Sequence, residues 1–179
     1  MPAERTIVPM NLLARLFRSS PDPREALRPL WHRVVEISRE PEWYAQCGVA
    51  DTVAGRFDMI AAVLSLALLR LEREGDCAPQ AALLTELFVE DMDGQLRESG
   101  VGDIVVGKHI GKLMASLGGR LGAYRATLAG EGSFEDALRR NVTLVEDRGP
   151  ELLAERLLAL RSQLDTTAAS GVLAGSLAR

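Results

Sequence analysis

At 179 residues, with 47% hydrophobic and 26% charged side chains, the chain has the length and composition of one globular domain that can bury a sizeable core. A formal net charge of -4 at pH 7 excludes the whole-protein basic field of a DNA-binding domain. Two cysteines (Cys47, Cys77) and two histidines (His32, His109), at scattered spacings, are too few for a disulfide framework or a Cys/His zinc site.

Those thiols are expected to be free, in a cytoplasmic compartment or at the cytoplasmic face of the inner membrane. The longest apolar run, Met59 to Leu69, is flanked by charges and is too short for a membrane span. The N-terminus lacks a signal-peptide pattern.

Residues 1–20 read as an irregular lead-in. Within it, Met10 to Arg18 is a short amphipathic helix, suited to docking on the domain or lying on an anionic membrane surface. A helical domain is expected over residues 21–165. Asp22 caps its first helix, with Pro23 at the first position; Leu27, Leu30, Trp31, Val34, Val35 and Ile37 fall near one face. Glu40-Pro41 ends it, because a residue before proline avoids the helical region. Glu42 to Val49 is read as a connector carrying Trp43 and Tyr44.

Asp51 or Thr52 caps the next helix, which runs to about Gly75 and is apolar nearly all round, as a central helix would be. Asp51, Gly55, Asp58, Ala62, Ser65 and Leu69 form a small or polar seam along it. Asp58 on that seam needs a partner if it is buried, and so does Arg56 if its guanidinium is. Pro79 opens a further helix to about Glu98, with Leu84, Leu87, Phe88, Met92 and Leu96 as core and Glu86, Glu90, Asp93 and Arg97 outward. Asp91 projects on the apolar side, either paired within the fold (to Arg56, Lys108 or Lys112) or free for a ligand. Asp93 is placed to pair with Arg97 at i+4.

Ser99 to Gly102 reads as a turn, and Asp103 caps a long helix to about Gly130. Val106, Ile110, Leu113, Met114, Leu117, Leu121, Tyr124 and Leu128 form one stripe of that helix. Gly107, Gly111, Gly118 and Gly122 form a second stripe beside it, with Lys108 and Lys112 one row further round. Each glycine in a helix interior costs about 1 kcal/mol relative to alanine, so a repeated pattern needs a reason. Either another helix packs tightly there, or the bare backbone lines a groove for a partner. Ser133 caps a short helix ending near Val142, and Gly149-Pro150 starts a last one to about Leu164. Residues 166–179 form a small-residue-rich tail expected to be partly disordered. The whole reads as an all-α, single compact domain of about six to seven helices.

Sites for chemistry are weak by comparison. Gly102 to Lys108 has phosphate-loop spacing, but His109 replaces the hydroxyl residue that would hold magnesium, and a helix precedes it where a strand belongs. Asp91 to Gly94 lacks the glycine and glutamate positions of a calcium loop. No nucleophile has a recognisable base. Neither a catalytic residue, a metal site nor a cofactor is expected. A metal-dependent enzyme using Asp91 and Asp93 on a lipophilic substrate is the alternative class, and a non-catalytic scaffold module is a third.

Several short motifs in order carry a resemblance: Trp43-Tyr44, Gly55-Arg56-Phe57-Asp58, Phe88-x-x-Asp-Met-Asp, Leu96-Arg-Glu-x-Gly-Val-Gly-Asp103, Lys108 and Tyr124. Over roughly residues 25 to 145 the chain resembles the ubiquinol–cytochrome c chaperone family, as a compact bacterial relative. The resemblance implies a helical fold and a client-binding role at cytochrome b during assembly of ubiquinol–cytochrome c reductase. It implies a small partner protein and, in mitochondrial relatives, the ribosomal tunnel exit. An acidic chain suits ribosomal RNA only through a local basic patch. Asp91, Asp93, Arg97, Gly102, Asp103 and Lys108 are implied to matter for fold or binding. With Gly111, Gly118 and Lys112 added, Asp91, Asp93, Arg97 and Lys108 make up the expected client-binding set. Asp51, Gly55, Arg56, Asp58, Gly102 and Asp103 are expected to serve structure or binding.

Overall fold

The computed structural model describes residues 22–98 and 103–177, with backbone alone for 103–105. The amphipathic segment at Met10 to Arg18 and the turn with Gly102 lie outside the described residues. Asp22 caps the first element as expected: its carboxylate accepts from the Arg24 backbone N–H at 2.9 Å. A single 3-10 turn, Pro23–Leu27, leads into α1, Arg28–Ser38. The segment read as a connector contains a further short helix, α2, Pro41–Ala45. Its aromatics close the end of α1. The Trp43 indole N–H donates to the Ile37 carbonyl at 2.5 Å, and the Tyr44 hydroxyl donates to the Ser38 carbonyl at 2.7 Å. Helix-terminal carbonyls have no partner within the helix, so two long polar-tipped rings supply one each.

Thr52 caps α3, Val53–Glu72, by accepting from the Gly55 N–H. Every residue from Met59 to Leu71 is buried. Around this hub pack α1, α4 (Ala78–Glu98), α5 (Asp103–Leu128) and α7 (Glu151–Thr166). The short α6, Phe134–Asn141, bridges α5 and α7, with Ser133 as its cap. Two loops pair beside α3: Ala50 N–H donates to Thr143 O at 2.9 Å, and Val145 N–H to Gly48 O at 2.8 Å. That isolated bridge is the only extended pairing among the described residues; the fold is all-α.

The C-terminal segment, expected to be partly disordered, instead forms α8, Ala169–Leu173, against α1. Val172 and Leu177 are buried, and Arg33 donates to the Leu177 carbonyl at 3.1 Å. Gly175 is required there. Its φ is +70°, and an added Cβ would stand 2.6 Å from the Pro29 carbonyl oxygen. No described helix is long and apolar enough to cross a membrane.

Candidate functional site

The candidate surface rests on a buried ion pair. Asp58, on the seam of α3, is buried, and so is Arg120 on α5. The Arg120 guanidinium donates to one Asp58 oxygen. The other oxygen accepts from Thr143 twice, from the backbone N–H at 2.9 Å and the hydroxyl at 2.7 Å. Arg120 also donates to the Asn141 carbonyl at 2.8 and 3.0 Å and to the Ser116 hydroxyl, and it lies 5.5 Å from the Phe57 ring centroid. The charges are thus paired and almost fully hydrogen-bonded, the condition under which burial is tolerated. Gly55, one turn earlier, has no room for a side chain: a Cβ would fall 2.0 Å from the Ala50 carbonyl oxygen. Asp58 thus ties α5 to α3, while Gly55 lets the Ala50 loop close against α3.

With α5 held this way, Val106, Leu117 and Tyr124 are buried, and Ile110, Leu113, Met114, Leu121 and Leu128 are half-buried. The opposite side is open. Gly107, Gly111, Gly118, Gly119 and Gly122 are all exposed, and no described residue lies within 4 Å of a Cβ added at any of them. Among the described residues, no helix packs on these glycines. Lys108 and Lys112 are exposed one turn apart beside them, with no ion pair to a described residue. No Asp or Glu occurs from residue 104 to residue 130, so the open face is cationic on an acidic protein.

Asp91 sits elsewhere, half-buried in a groove of about 570 Å³ between α1 and α4. Trp31, Val35 and Leu87 form its apolar side, and His32, Arg39 and Glu98 are among its polar residues. Lys108, Lys112 and Arg56, the partners considered for Asp91, do not line it. Arg56 is exposed and donates to Asp51 at 2.6 Å. That contact raises the Arg56 pKa and lowers that of the Asp51 carboxyl. Asp93 pairs with Arg97 at 2.7 Å, as the i+4 spacing predicts. Glu90 faces Arg24 at 3.3 Å and Arg28 at 3.8 Å. Among the described residues no group of three or more His, Cys, Asp or Glu is placed to hold a metal ion. Asp103 is the first residue of α5.

Arg120 and Thr143 are functional to the fold yet stand out little in the sequence. Arg120 has the stronger signal, since it lies four residues before Tyr124, on the buried stripe of a helix. Its partner is 62 residues away, which no local pattern signals. Tyr124, 0% exposed, has a hydroxyl with no hydrogen-bond partner among the described residues. Burial pushes its phenol well above the usual range, opposed in part by the Arg120 charge.

Comparison with known proteins agrees with this architecture. A profile of the ubiquinol-cytochrome C chaperone family matches residues 45–179. That span reaches past the expected 145 and takes in α7 and α8. No curated protein matches the chain. The crystal structure of the Cbp3 homolog from Brucella abortus superposes with a TM-score of 0.75 at 30% identity, covering 93% of this chain and 95% of that one. The profile covers most of the chain, and the shared fold extends over nearly all of it. The chain belongs to the ubiquinol-cytochrome C chaperone family.

Proposed function

We propose that this protein is an assembly factor that binds newly made cytochrome b during biogenesis of ubiquinol–cytochrome c reductase, at the cytoplasmic face of the inner membrane. It acts as a binding protein rather than an enzyme. The client's apolar segment lies along the open face of α5, its backbone close to Gly111 and Gly118. Lys108 and Lys112 form one polar edge. Asp93 and Arg97 on α4 form the other, and Asp91, in the separate groove between α1 and α4, is a further contact for the client.

The observation that carries this reading is the five open glycines. Relative to alanine they cost α5 on the order of 5 kcal/mol, a large share of a typical domain stability of about 5–15 kcal/mol. Nothing described within the molecule uses the space they leave. A surface without side chains, bordered by half-buried Ile110 and Met114, lets a client helix approach closely, as small residues do between packed helices. Family membership supplies the chaperone role. A small partner protein fits the same reading; ribosome contact would fall on the acid-free α5 face.

The test is recovery of cytochrome b with the purified variants Gly111→Leu and Gly118→Leu. Because both sites are open, the variants are expected to stay folded and to lose most of the client. A folded variant that recovers cytochrome b as well as the parent chain refutes the α5 surface. Unchanged levels of assembled ubiquinol–cytochrome c reductase in a strain lacking the protein refute the assembly role.

A further inference from the structure

Three residues of the Gly55-Arg56-Phe57-Asp58 step have a reason inside the fold. Gly55 lacks room for a side chain, Asp58 holds Arg120, and Phe57 packs on the core 6.2 Å from Phe88. Arg56 has none. Its side chain is 62% exposed, and its ion-pair partner Asp51 is 56% exposed. Such a pair contributes about 0–1 kcal/mol to stability. The guanidinium is nevertheless placed, by Asp51 on one side and by the Tyr44 ring at 6.0 Å on the other.

Arg56, Tyr44 and Asp51 line a groove of about 510 Å³ together with Arg39 from the end of α1. The Arg39 guanidinium has no ion pair to any described residue, and its charge reaches the Tyr44 phenol alongside that of Arg56. One turn before Arg56, Val53 is 89% exposed, far more than any other large hydrophobic residue described. The groove thus offers two planar guanidiniums, one of them unpaired among the described residues, and an aromatic ring, with the bare Val53 side chain outside its lining, one turn earlier on α3. None of its residues belongs to the glycine face of α5.

We propose that this groove receives an acidic peptide segment of a partner protein. A carboxylate binds between Arg39 and Arg56, and a neighbouring apolar side chain rests on Val53. Guanidinium forks match carboxylates in two-point geometry. Asp51 inside the groove disfavours a surface dense in phosphates, while a peptide places its few charges to avoid it. The glycine face is free to hold its client at the same time.

The probe is a fluorescein-labelled hexapeptide alternating leucine and glutamate, titrated against the full chain by fluorescence anisotropy. Its glutamine analogue is the neutral control. We expect the glutamate peptide alone to bind. The double variant R39Q/R56Q should weaken it roughly tenfold or more, and V53S severalfold, with unchanged thermal melting. Equal binding of the glutamine peptide, or binding that survives R39Q/R56Q, overturns the proposal. So does an intact chain that ignores the glutamate peptide. In that last case, loss of phosphatidylglycerol-vesicle flotation in R39Q/R56Q would assign the groove to lipid. Loss of a dimer in sedimentation would assign it to a second copy of the chain.

Discussion

Gly55 and Gly111 are both helical glycines, and alanine should move stability in opposite directions at the two. At Gly55 the new methyl meets the Ala50 carbonyl, whose residue is pinned to Thr143 across the loop pairing. We expect a loss of about 3 kcal/mol, in the range for overpacking. At Gly111 the methyl meets nothing, and the helix should gain about 1 kcal/mol. Urea-denaturation midpoints of the two variants check both signs. Asp58→Asn leaves Arg120 buried beside a neutral amide; removing one partner of such a pair costs about 3–5 kcal/mol. Tyr124 gives a pH dependence. Its folded-state pKa is raised, so the stability it contributes is fully present below the ordinary phenol value of about 10 and is lost as pH rises beyond it. Alkaline denaturation should therefore be shallower in Tyr124→Phe, by up to about 1.4 kcal/mol per pH unit.

Among the helices, those with strong periodicity are legible in the residues themselves. The caps at Asp22 and Ser133, the length of α4 and the buried stripe of α5 follow from residue types alone, while the choice of Thr52 over Asp51 as the cap of α3 is settled by its hydrogen bond to the Gly55 N–H. The elements that are not legible share a cause. The helices α2 and α8, five residues each, are too short to be stable by propensity. They exist because Trp43 reaches back to α1 and because Val172 finds a buried site on it. The glycine stripe is plain in the sequence, but a bare face prepared for packing and one left open have the same pattern of residues. Only the empty space around Gly107, Gly111, Gly118 and Gly122 separates them. Replacing all four by alanine should raise stability by about 4 kcal/mol and lower recovery of cytochrome b, read by urea denaturation and co-purification on one variant. A gain in stability with full recovery would leave the glycines without a role in the client site.

Across the molecule, the C-terminal segment closes the shell around α1. Ending the chain after Ala168 removes two buried apolar side chains and the acceptor for Arg33. The expected loss is about 3 kcal/mol, or roughly 6–12 °C in Tm for a chain of this size, measured by circular dichroism. Charge is divided as well: α5 and its flank are free of acids from residue 104 to residue 130, while the chain as a whole carries -4. Such a division gives an approaching partner a preferred orientation before contact, and salt should slow that approach.

The buried carboxylate of Asp58 also dictates an order of events during synthesis. Its compensating groups, Arg120 and Thr143, are 62 and 85 residues further along the chain. Burying a carboxylate without them costs several kcal/mol, comparable to the whole stability of a domain. Residues 22–98 therefore cannot finish their interior when they leave the ribosome, although two of the helices that pack on α3, α1 and α4, are already present. The apolar surface of α3 stays uncovered while the second half is translated, for several seconds at about 5–20 residues per second. Closure then comes in one late step. The apolar helix exposed at that stage is covered only when the chain's own second half completes the fold.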